Sequence, residues 1–286
     1  MKPPLVVLLS LLLLGPAAAE PVVDFHEHLG LQLWSLRVQM KESVAGALNL
    51  AKDFGFAEVE TAGTAGLSAG QFRAELDFRG LRVVSAHVNY DVARKDFAAA
   101  IREAKILGAA YLIIPWVPHG HGFTAEDARR IAAEFNRYGE ACAAAGLQFG
   151  YHTHGYEFTT PATKGGEVAF DVLMRETNPR LVCFEMDVFW VVHGGGDPLA
   201  LLAKYPDRWA MLHLKDMKKG AVKGLGTAKA DPSDRVTMGE GEIDWPAILR
   251  EAQRIGVRHY FIEDETPAPL RCIPDSVAYL RRLKVR

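Results

Sequence analysis

One phrase recurs along this sequence: a helical segment with an apolar face, then a glycine, then a short apolar strand. Residues 43–54 are the first example, with apolar side chains spaced for one helical face and Gly55 directly after them. The glycine of the phrase returns at Gly80, Gly108, Gly146 and Gly256. Helices often end in the left-handed conformation, which glycine adopts without a steric penalty. The repeated phrase therefore predicts parallel βαβ units.

Eight strand segments follow from this pattern, and most are mainly apolar rather than alternating, as expected for a sheet covered on both faces. The predicted strands are residues 29–35, 57–61, 81–88, 110–116, 147–153, 181–188, 209–215 and 259–264. Eight such units predict an α/β fold, a single (β/α)8 TIM barrel, with an open doubly wound sheet as the alternative. No G-x-G-x-x-G opens a helix after a strand, which weakens a dinucleotide-binding version of the open sheet.

The first 19 residues have the organisation of a signal peptide. Lys2 precedes the apolar run 5–14, and an A-x-A cleavage site ends at Ala19. The run is shorter than the ~20 residues that a membrane span needs, so we expect no stable membrane anchor, although an uncleaved anchor is the alternative. The predicted domains are a signal peptide at 1–19 and a barrel at 20–286, and the mature chain is expected to be periplasmic or secreted.

Charge and cysteine content exclude several classes of protein. The formal net charge is -2, so no basic excess is present to neutralise a nucleic acid. The 3 cysteines have no C-x-x-C spacing and imply no disulfide framework. The expected partner is a small-molecule sugar rather than a nucleic acid, and a homo-oligomer is left open.

The predicted strands end in polar or aromatic residues, and barrel enzymes place their active sites at the C-terminal ends of their strands. His152, Asp187, His213 and Glu263 come from four consecutive predicted strands. Imidazole and carboxylate ligands suit one divalent ion, with Mn, Co, Fe, Zn, Ni and Mg as the candidates. The sequence therefore predicts a metal site, with a hydrogen-bonded polar rim as the alternative.

Two pairs of histidines lie in segments outside these strand ends. His119 and His121 stand in a glycine-containing loop and are expected to be solvated near the mouth of the site. His26 and His28 precede the first strand on the N-terminal side of the barrel. We expect them on the surface, with a metal contact as the less favoured interpretation.

Six motifs, in the right order, resemble the sugar phosphate isomerase/epimerase family of xylose-isomerase-like barrels. They are residues 30–37 (GLQLWSLR), 151–158 (YHTHGYEF), 185–190 (EMDVFW), 213–217 (HLKDM), 239–245 (GEGEIDW) and 262–265 (IEDE). The resemblance implies a barrel with one divalent ion held by Glu, Asp, His and Glu from strands five to eight. Asp187, His213 and Glu263 match three of these ligands, whereas His152 stands where the family usually has a glutamate.

This departure puts a symmetrical two-carboxylate epimerisation in doubt. Glu157, five residues downstream of His152, is the alternative source of the missing carboxylate. The Tyr-His-x-His form of residues 151–154 resembles the branch that includes inosose dehydratases and lyases of 3-keto-glycosides.

The chemistry implied by the resemblance is removal of a proton next to a carbonyl, through an enediolate. Glu263 is expected to be both ligand and base, and His154 and His87 to exchange protons or bind sugar hydroxyls. Lys215 is expected to neutralise developing negative charge, and Glu157 is a further catalytic candidate. The expected substrate-binding residues are Gln32, Trp34, Glu60, Trp116 and Trp190.

The sequence thus predicts a metal-dependent sugar isomerase or epimerase. Export disfavours a phosphorylated substrate, because free sugar phosphates are mainly intracellular, so a neutral sugar or keto-sugar is expected. A periplasmic 3-keto-glycoside lyase or dehydratase is the main alternative. A non-catalytic sugar-binding barrel and a metal-dependent endonuclease are less favoured, the latter because it would need a basic groove.

Overall fold

Eight parallel strands close into one barrel in this computed structural model, which describes residues 24–120, 122–159 and 166–285. The strands are β1 Leu29–Gln32, β2 Glu58–Ala62, β3 Arg82–His87, β4 Tyr111–Ile114, β5 Gln148–His152, β6 Val182–Asp187, β7 Trp209–Leu214 and β8 His259–Ile262. Each strand pairs with its neighbours in chain order, and β1 closes the barrel on β8, with Gly30 opposite Phe261. The predicted single (β/α)8 barrel is confirmed.

Helices follow the strands in the order that the sequence predicts. In the described ranges they are α1 Arg37–Glu42, α2 Val44–Asp53, α3 Ala69–Arg79, α4 Tyr90–Lys95, α5 Phe97–Leu107, α6 Ala125–Ala144, α7 Ala169–Glu176, α8 Val188–His193, α9 Pro198–Lys204, α10 Trp245–Arg254 and α11 Pro269–Arg282. Helices α3 and α5 end at Gly80 and Gly108, which have φ of 68° and 80°. These left-handed caps are the physical basis of the recurring glycine.

The first strand is shorter than predicted. It ends at Gln32, whose side chain accepts a hydrogen bond from the Trp34 backbone N–H and caps a 3₁₀ helix over Leu33–Leu36. The prediction of strand through residue 35 was wrong because a side-chain cap competes with further pairing.

Three of the predictions cannot be compared with the structure. The predicted signal peptide, the domain start at residue 20 and His121 all lie outside the described residues. Within the described ranges, no helix combines the length and apolar character needed to cross a membrane.

An apolar plug fills the middle of the barrel. It consists of Val84, Ile113, Met211 and Phe261, all buried. Glycine makes room for it, because a Cβ added at Gly30 would lie 2.6 Å from the Phe261 ring. The barrel interior is therefore packed, as in other barrels of this type, and its two ends are separate environments.

The long connection after β7 is held against the barrel by one carboxylate. Asp216 accepts hydrogen bonds from the backbone N–H groups of Met217, Gly239, Gly241 and Ile243, at 2.8–3.4 Å. Within this connection, Asp216–Met217 pairs antiparallel with Arg235–Val236. The connection thereby brings Arg235 to the C-terminal face of the barrel, where its Nε lies 3.2 Å from Glu265 Oε2.

Candidate active site

A cavity of about 680 Å³ opens at the C-terminal ends of the strands. Its polar lining includes His87, His152, His154, Lys215, Glu263 and Glu265. Trp34 and Trp116 also line it and are 45% and 38% exposed, so two indole rings remain available to a ligand. The predicted aromatic residue Trp190 lines the cavity as well, although it is almost fully buried.

The four predicted metal ligands meet at the polar end of this cavity. One ligand atom from each of His152, Asp187, His213 and Glu263 lies within 4.8 Å of the others. His213 Nδ1 is 3.2 Å from His152 Nε2 and 3.3 Å from Glu263 Oε2. Strands β5, β6 and β7 supply the first three residues, and Glu263 directly follows β8. Closure of the barrel therefore gathers groups that are far apart in sequence.

These side chains fit a divalent cation. Asp187 Oδ2 is buried and has no hydrogen-bond partner among the described residues, although it lies 3.1 Å from Lys215 Nζ and 3.6 Å from His152 Nε2. Burial alone would raise the pKa of Asp187, but the Lys215 ammonium group lowers it to about 2. An ionised carboxylate in a dry site needs a positive partner, and two carboxylates with two imidazoles suit a divalent transition metal.

His213 is oriented by a carboxylate on its far side. Its Nε2 lies 2.6 Å from Glu60 Oε2 and 3.2 Å from Glu185 Oε1, while its Nδ1 faces the cluster. A proton on Nε2 leaves the Nδ1 lone pair directed at a cation. Burial alone would lower the pKa of His213, but Glu185 and Glu60 raise it well above its usual value. Binding of a cation at Nδ1 would therefore release a proton.

Gln32 and Glu60 lie beneath the cavity floor. Both are 0% exposed, and the Gln32 amide donates to Glu60 Oε2 at 2.7 Å. We predicted that they bind sugar hydroxyls; neither lines the cavity in this structure, and both contact protein groups. They point into the barrel, where Gln32 supports Glu60 and Glu60 supports His213.

His87 is positively charged and contacts the two buried carboxylates that also contact His213. Its Nε2 lies 2.9 Å from Glu185 Oε2 and 3.1 Å from Glu60 Oε1. Burial alone would lower the pKa of His87, but the charge of Glu60, with Glu185, raises it to about 9. A ring that is already protonated at neutral pH cannot accept a further proton, so His87 can donate but not act as a base.

His154 has the opposite character. Its Nδ1 lies 3.3 Å from the Pro115 carbonyl oxygen and must donate there, which leaves Nε2 as the ring's acceptor. Burial, together with His152 and Lys215, lowers the pKa of His154 to about 3. The ring stacks on Trp190 at 4.8 Å between centroids. His154 is thus a fixed, neutral acceptor on the cavity wall.

Glu157 does not join the cluster. Its carboxylate accepts from the Tyr151 hydroxyl at 2.6 Å and from the His154 backbone N–H at 2.9 Å. It is fully buried and does not line the cavity. Of the two candidates for the fourth ligand, His152 is the one placed beside Asp187 and His213, and Glu157 fixes the backbone that carries His154.

Lys215 forms ion pairs with three carboxylates at the polar end of the cavity. Its Nζ lies 2.6 Å from Glu263 Oε2, 2.8 Å from Glu265 Oε2 and 3.1 Å from Asp187 Oδ2. Burial alone would lower the pKa of Lys215, but Asp187 and Glu263 raise it, so the amine is protonated. Its neighbour Asp216 binds backbone N–H groups instead, and Glu185 faces His87 and His213.

Sequence reasoning missed the roles of Glu185 and Arg235 and did not assign one to Glu265. A signal for one of them was available. Glu185 precedes Asp187 by two residues on β6, and side chains two apart on a strand share a face. Glu263 and Glu265 both lie beyond the end of β8, where this rule does not apply. Arg235 comes from the long connection, and no local periodicity marks it.

Comparison with known proteins identifies a family whose profile matches most of the chain. The profile of the xylose isomerase-like TIM barrel matches residues 48–283. The chain is 25% identical to an inosose dehydratase of Lacticaseibacillus casei over 240 residues, which are 71% of this chain and 75% of that protein. It is 27% identical to an inosose dehydratase of Clostridium tetani over 166 residues, 56% of this chain and only about half (54%) of that relative. A crystal structure of a sugar phosphate isomerase/epimerase from Parabacteroides distasonis is 28% identical and has a TM-score of 0.75, covering 91% of this chain and 100% of that chain.

Proposed function

The chain belongs to the xylose isomerase-like TIM barrel family, and we propose that it is a metal-dependent lyase that eliminates a β-substituent from a keto-sugar or keto-polyol without phosphate. The observation that carries this proposal is the 2.6 Å contact between Lys215 Nζ and Glu263 Oε2 beside the predicted metal ligands. It places a proton acceptor and a proton donor next to one another. The names of the inosose dehydratase relatives support the same class of reaction.

The predicted ligands His152, Asp187, His213 and Glu263 would hold the ion. The chemistry that a divalent ion supplies when bound there is polarisation of the substrate carbonyl and an adjacent hydroxyl. The chain's own groups then handle protons. Glu263 is ionised, because Lys215 and His213 hold its pKa well below the usual range although burial alone would raise it. It is therefore able to remove the proton from the carbon next to the carbonyl.

The proposed elimination needs no proton donor or acceptor other than Glu263 and Lys215. The electron pair of the broken C–H bond forms a carbon–carbon double bond as the bond to the β-oxygen breaks. The Lys215 ammonium group gives its proton to the departing oxygen, which leaves as water or an alcohol. The proton on Glu263 then passes to the Lys215 amine across the 2.6 Å contact, and both residues return to their starting state.

The remaining wall of the cavity would hold the substrate. His154 Nε2 is positioned to accept from a hydroxyl, because its Nδ1 is committed to the Pro115 carbonyl. Trp34 and Trp116 offer flat apolar surface for a sugar ring. Among the described lining residues, Lys215 is the sole lysine or arginine, and Glu103, Glu263 and Glu265 are acidic. This charge balance disfavours a phosphate group and supports a neutral substrate.

An isomerase or epimerase is the second candidate. The 28% identical structure from Parabacteroides distasonis bears that name and favours it. Such a reaction would return the proton to carbon, rather than expel a substituent, and it needs the same first step.

One experiment separates the two reactions. Metal-loaded protein is incubated in deuterated water with an inosose, a 3-keto-glucoside and free ketoses. Loss of water or of the glycosidic alcohol, with an unsaturated ketone formed, supports the lyase. Deuterium in a new ketose or epimer without loss of a substituent supports the isomerase and overturns the lyase. Activity that survives chelation contradicts both.

Export is a separate part of the proposal. The signal-peptide organisation of residues 1–19 supports a periplasmic or secreted enzyme. Fractionation of producing cells, followed by N-terminal sequencing of the mature protein, tests this. We expect a chain that begins near Glu20, and an intact Met1 in a cytoplasmic fraction would contradict it.

A further inference from the structure

We propose a second divalent-cation site at the N-terminal end of the barrel, formed by His28, Glu58 and His259. Glu58 and His259 are the first residues of β2 and β8, and His28 immediately precedes β1. Strands β8, β1 and β2 are neighbours in the barrel. One ligand atom from each of the three side chains lies within 4.8 Å of the others.

The spacing of the three side chains fits a small cation. His259 Nδ1 lies 2.9 Å from Glu58 Oε2, and His28 Nδ1 lies 3.5 Å from Glu58 Oε1. Ligands about 2.0–2.1 Å from a tetrahedral zinc ion are roughly 3.3 Å apart, so the observed distances require little movement. His28 Nδ1 is also buried without a hydrogen-bond partner among the described residues.

This cluster is independent of the candidate active site. The apolar plug of Val84, Ile113, Met211 and Phe261 lies between the two ends of the barrel. None of the three residues lines the cavity at the C-terminal face. A cation here would therefore take no part in the proposed elimination, and the inference does not depend on that proposal.

The ligand types indicate the class of ion and its effect. Two imidazoles and one carboxylate suit zinc, cobalt or nickel rather than calcium. The His28 side chain is 35% exposed, so a water molecule can complete the coordination. Because the ligands come from the first, second and last strand positions, a bound ion would tie the two ends of the closed sheet together and stabilise the folded chain.

Arg82 would compete with such an ion for the Glu58 carboxylate. Its guanidinium group forms an ion pair with Glu58 Oε1, and its side chain is 60% exposed. An exposed side chain can turn into solvent when a divalent ion takes its place. Removal of Arg82 should therefore strengthen cation binding rather than weaken it.

The test counts Co²⁺ ions per full-length chain by calorimetry and elemental analysis, with the visible absorption of Co²⁺ as a second readout. We expect the wild type to bind about one Co²⁺ ion more per chain than His28→Ala. Arg82→Ala should bind the second ion about two- to fivefold more tightly. His26→Ala is the matched control: His26 lies two residues from His28 and pairs with Asp24 outside the cluster, so this variant should match the wild type.

The outcomes are decisive in either direction. Equal Co²⁺ stoichiometry and affinity in the wild type and His28→Ala would overturn the second site. If His28→Ala does not fold, Arg82→Ala decides, because unchanged affinity there also overturns the proposal. Failure of the elimination reaction leaves these measurements unaffected.

Discussion

His213 Nε2 lies 2.6 Å from Glu60 Oε2, on the opposite side of the imidazole from the nitrogen that faces the predicted metal ligands. Glu60 is fully buried, and Gln32 fixes it by donating to the same oxygen. The pair therefore sets which nitrogen of His213 carries a proton and which is free for a cation.

The first prediction concerns this orientation. In Glu60→Gln, an amide can donate to Nε2 and favour the wrong tautomer, so the affinity of the C-terminal site for Mn²⁺ should fall about 10–100-fold. Titration calorimetry measures it. Glu103→Gln, which changes an exposed residue of the cavity wall, should leave the affinity unchanged. Equal affinity in the two variants would show that Glu60 does not orient His213.

The second prediction separates metal binding from catalysis at Lys215. Lys215→Met removes the ammonium group that contacts Glu263 and Asp187. Turnover should be lost, whereas metal affinity should rise because both carboxylates become available. The metal-free protein should lose about 3–5 kcal/mol in the free energy of unfolding, since buried carboxylates are left unpaired.

Steady-state kinetics, metal titration and urea unfolding check these three effects. Lys219→Met, at an exposed lysine four residues later, is the control and should behave as the wild type. Retained turnover in Lys215→Met would remove Lys215 from the proposed mechanism.

The third prediction concerns the exposed indole rings of the cavity. Trp116→Ala should raise KM about two- to tenfold with a smaller effect on kcat, because stacking on a sugar binds the ground state and the transition state alike. Initial-rate measurements with the substrate that the deuterated-water experiment identifies provide the test. Phe78, 84% exposed and outside the cavity lining, supplies the control variant Phe78→Ala. A drop in kcat alone would assign Trp116 a different role.

The fourth prediction is a pH dependence of stability at His193. This residue is 1% exposed at the end of α8, and burial lowers its pKa. The unfolded chain therefore takes up a proton as pH falls below about 6.5, whereas folded His193 resists it. Its contribution to stability is present above that pH and is lost in acid.

Urea unfolding between pH 8 and pH 5 should show a weaker acid destabilisation in His193→Gln than in the wild type. Parallel pH profiles for wild type and His193→Gln would refute this assignment.

The fifth prediction concerns the clamp formed by Asp216. Asp216→Asn presents an amide N–H₂ to backbone donors that Asp216 now accepts from, including those of Gly239 and Gly241. The free energy of unfolding should fall by about 1–3 kcal/mol. Asp244→Asn is a matched control, since Asp244 is an exposed helix N-cap of α10 and asparagine caps equally well. Equal stability of both variants would show that the clamp contributes little.

The sequence by itself predicted the closed barrel and the polar residues at the C-terminal ends of its strands. The helix–glycine–strand phrase, seen at Gly80 and Gly108, depends on local periodicity and on left-handed caps, so it predicts βα units without knowledge of their neighbours. The same local rule placed His152, Asp187, His213 and Glu263 at strand ends, and the structure brings them together as predicted.

Only the tertiary structure decided which partner each polar group meets. Glu60 contacts a histidine 153 residues away, and Glu58 contacts one 201 residues away. Such pairings depend on how the closed barrel staggers its strands and on which side chains fill its interior. No periodicity within a segment encodes these long-range contacts. The sequence therefore identified the polar residues at the C-terminal strand ends. It did not identify the buried contacts of Glu60 or the cluster of His28, Glu58 and His259 at the N-terminal end of the barrel.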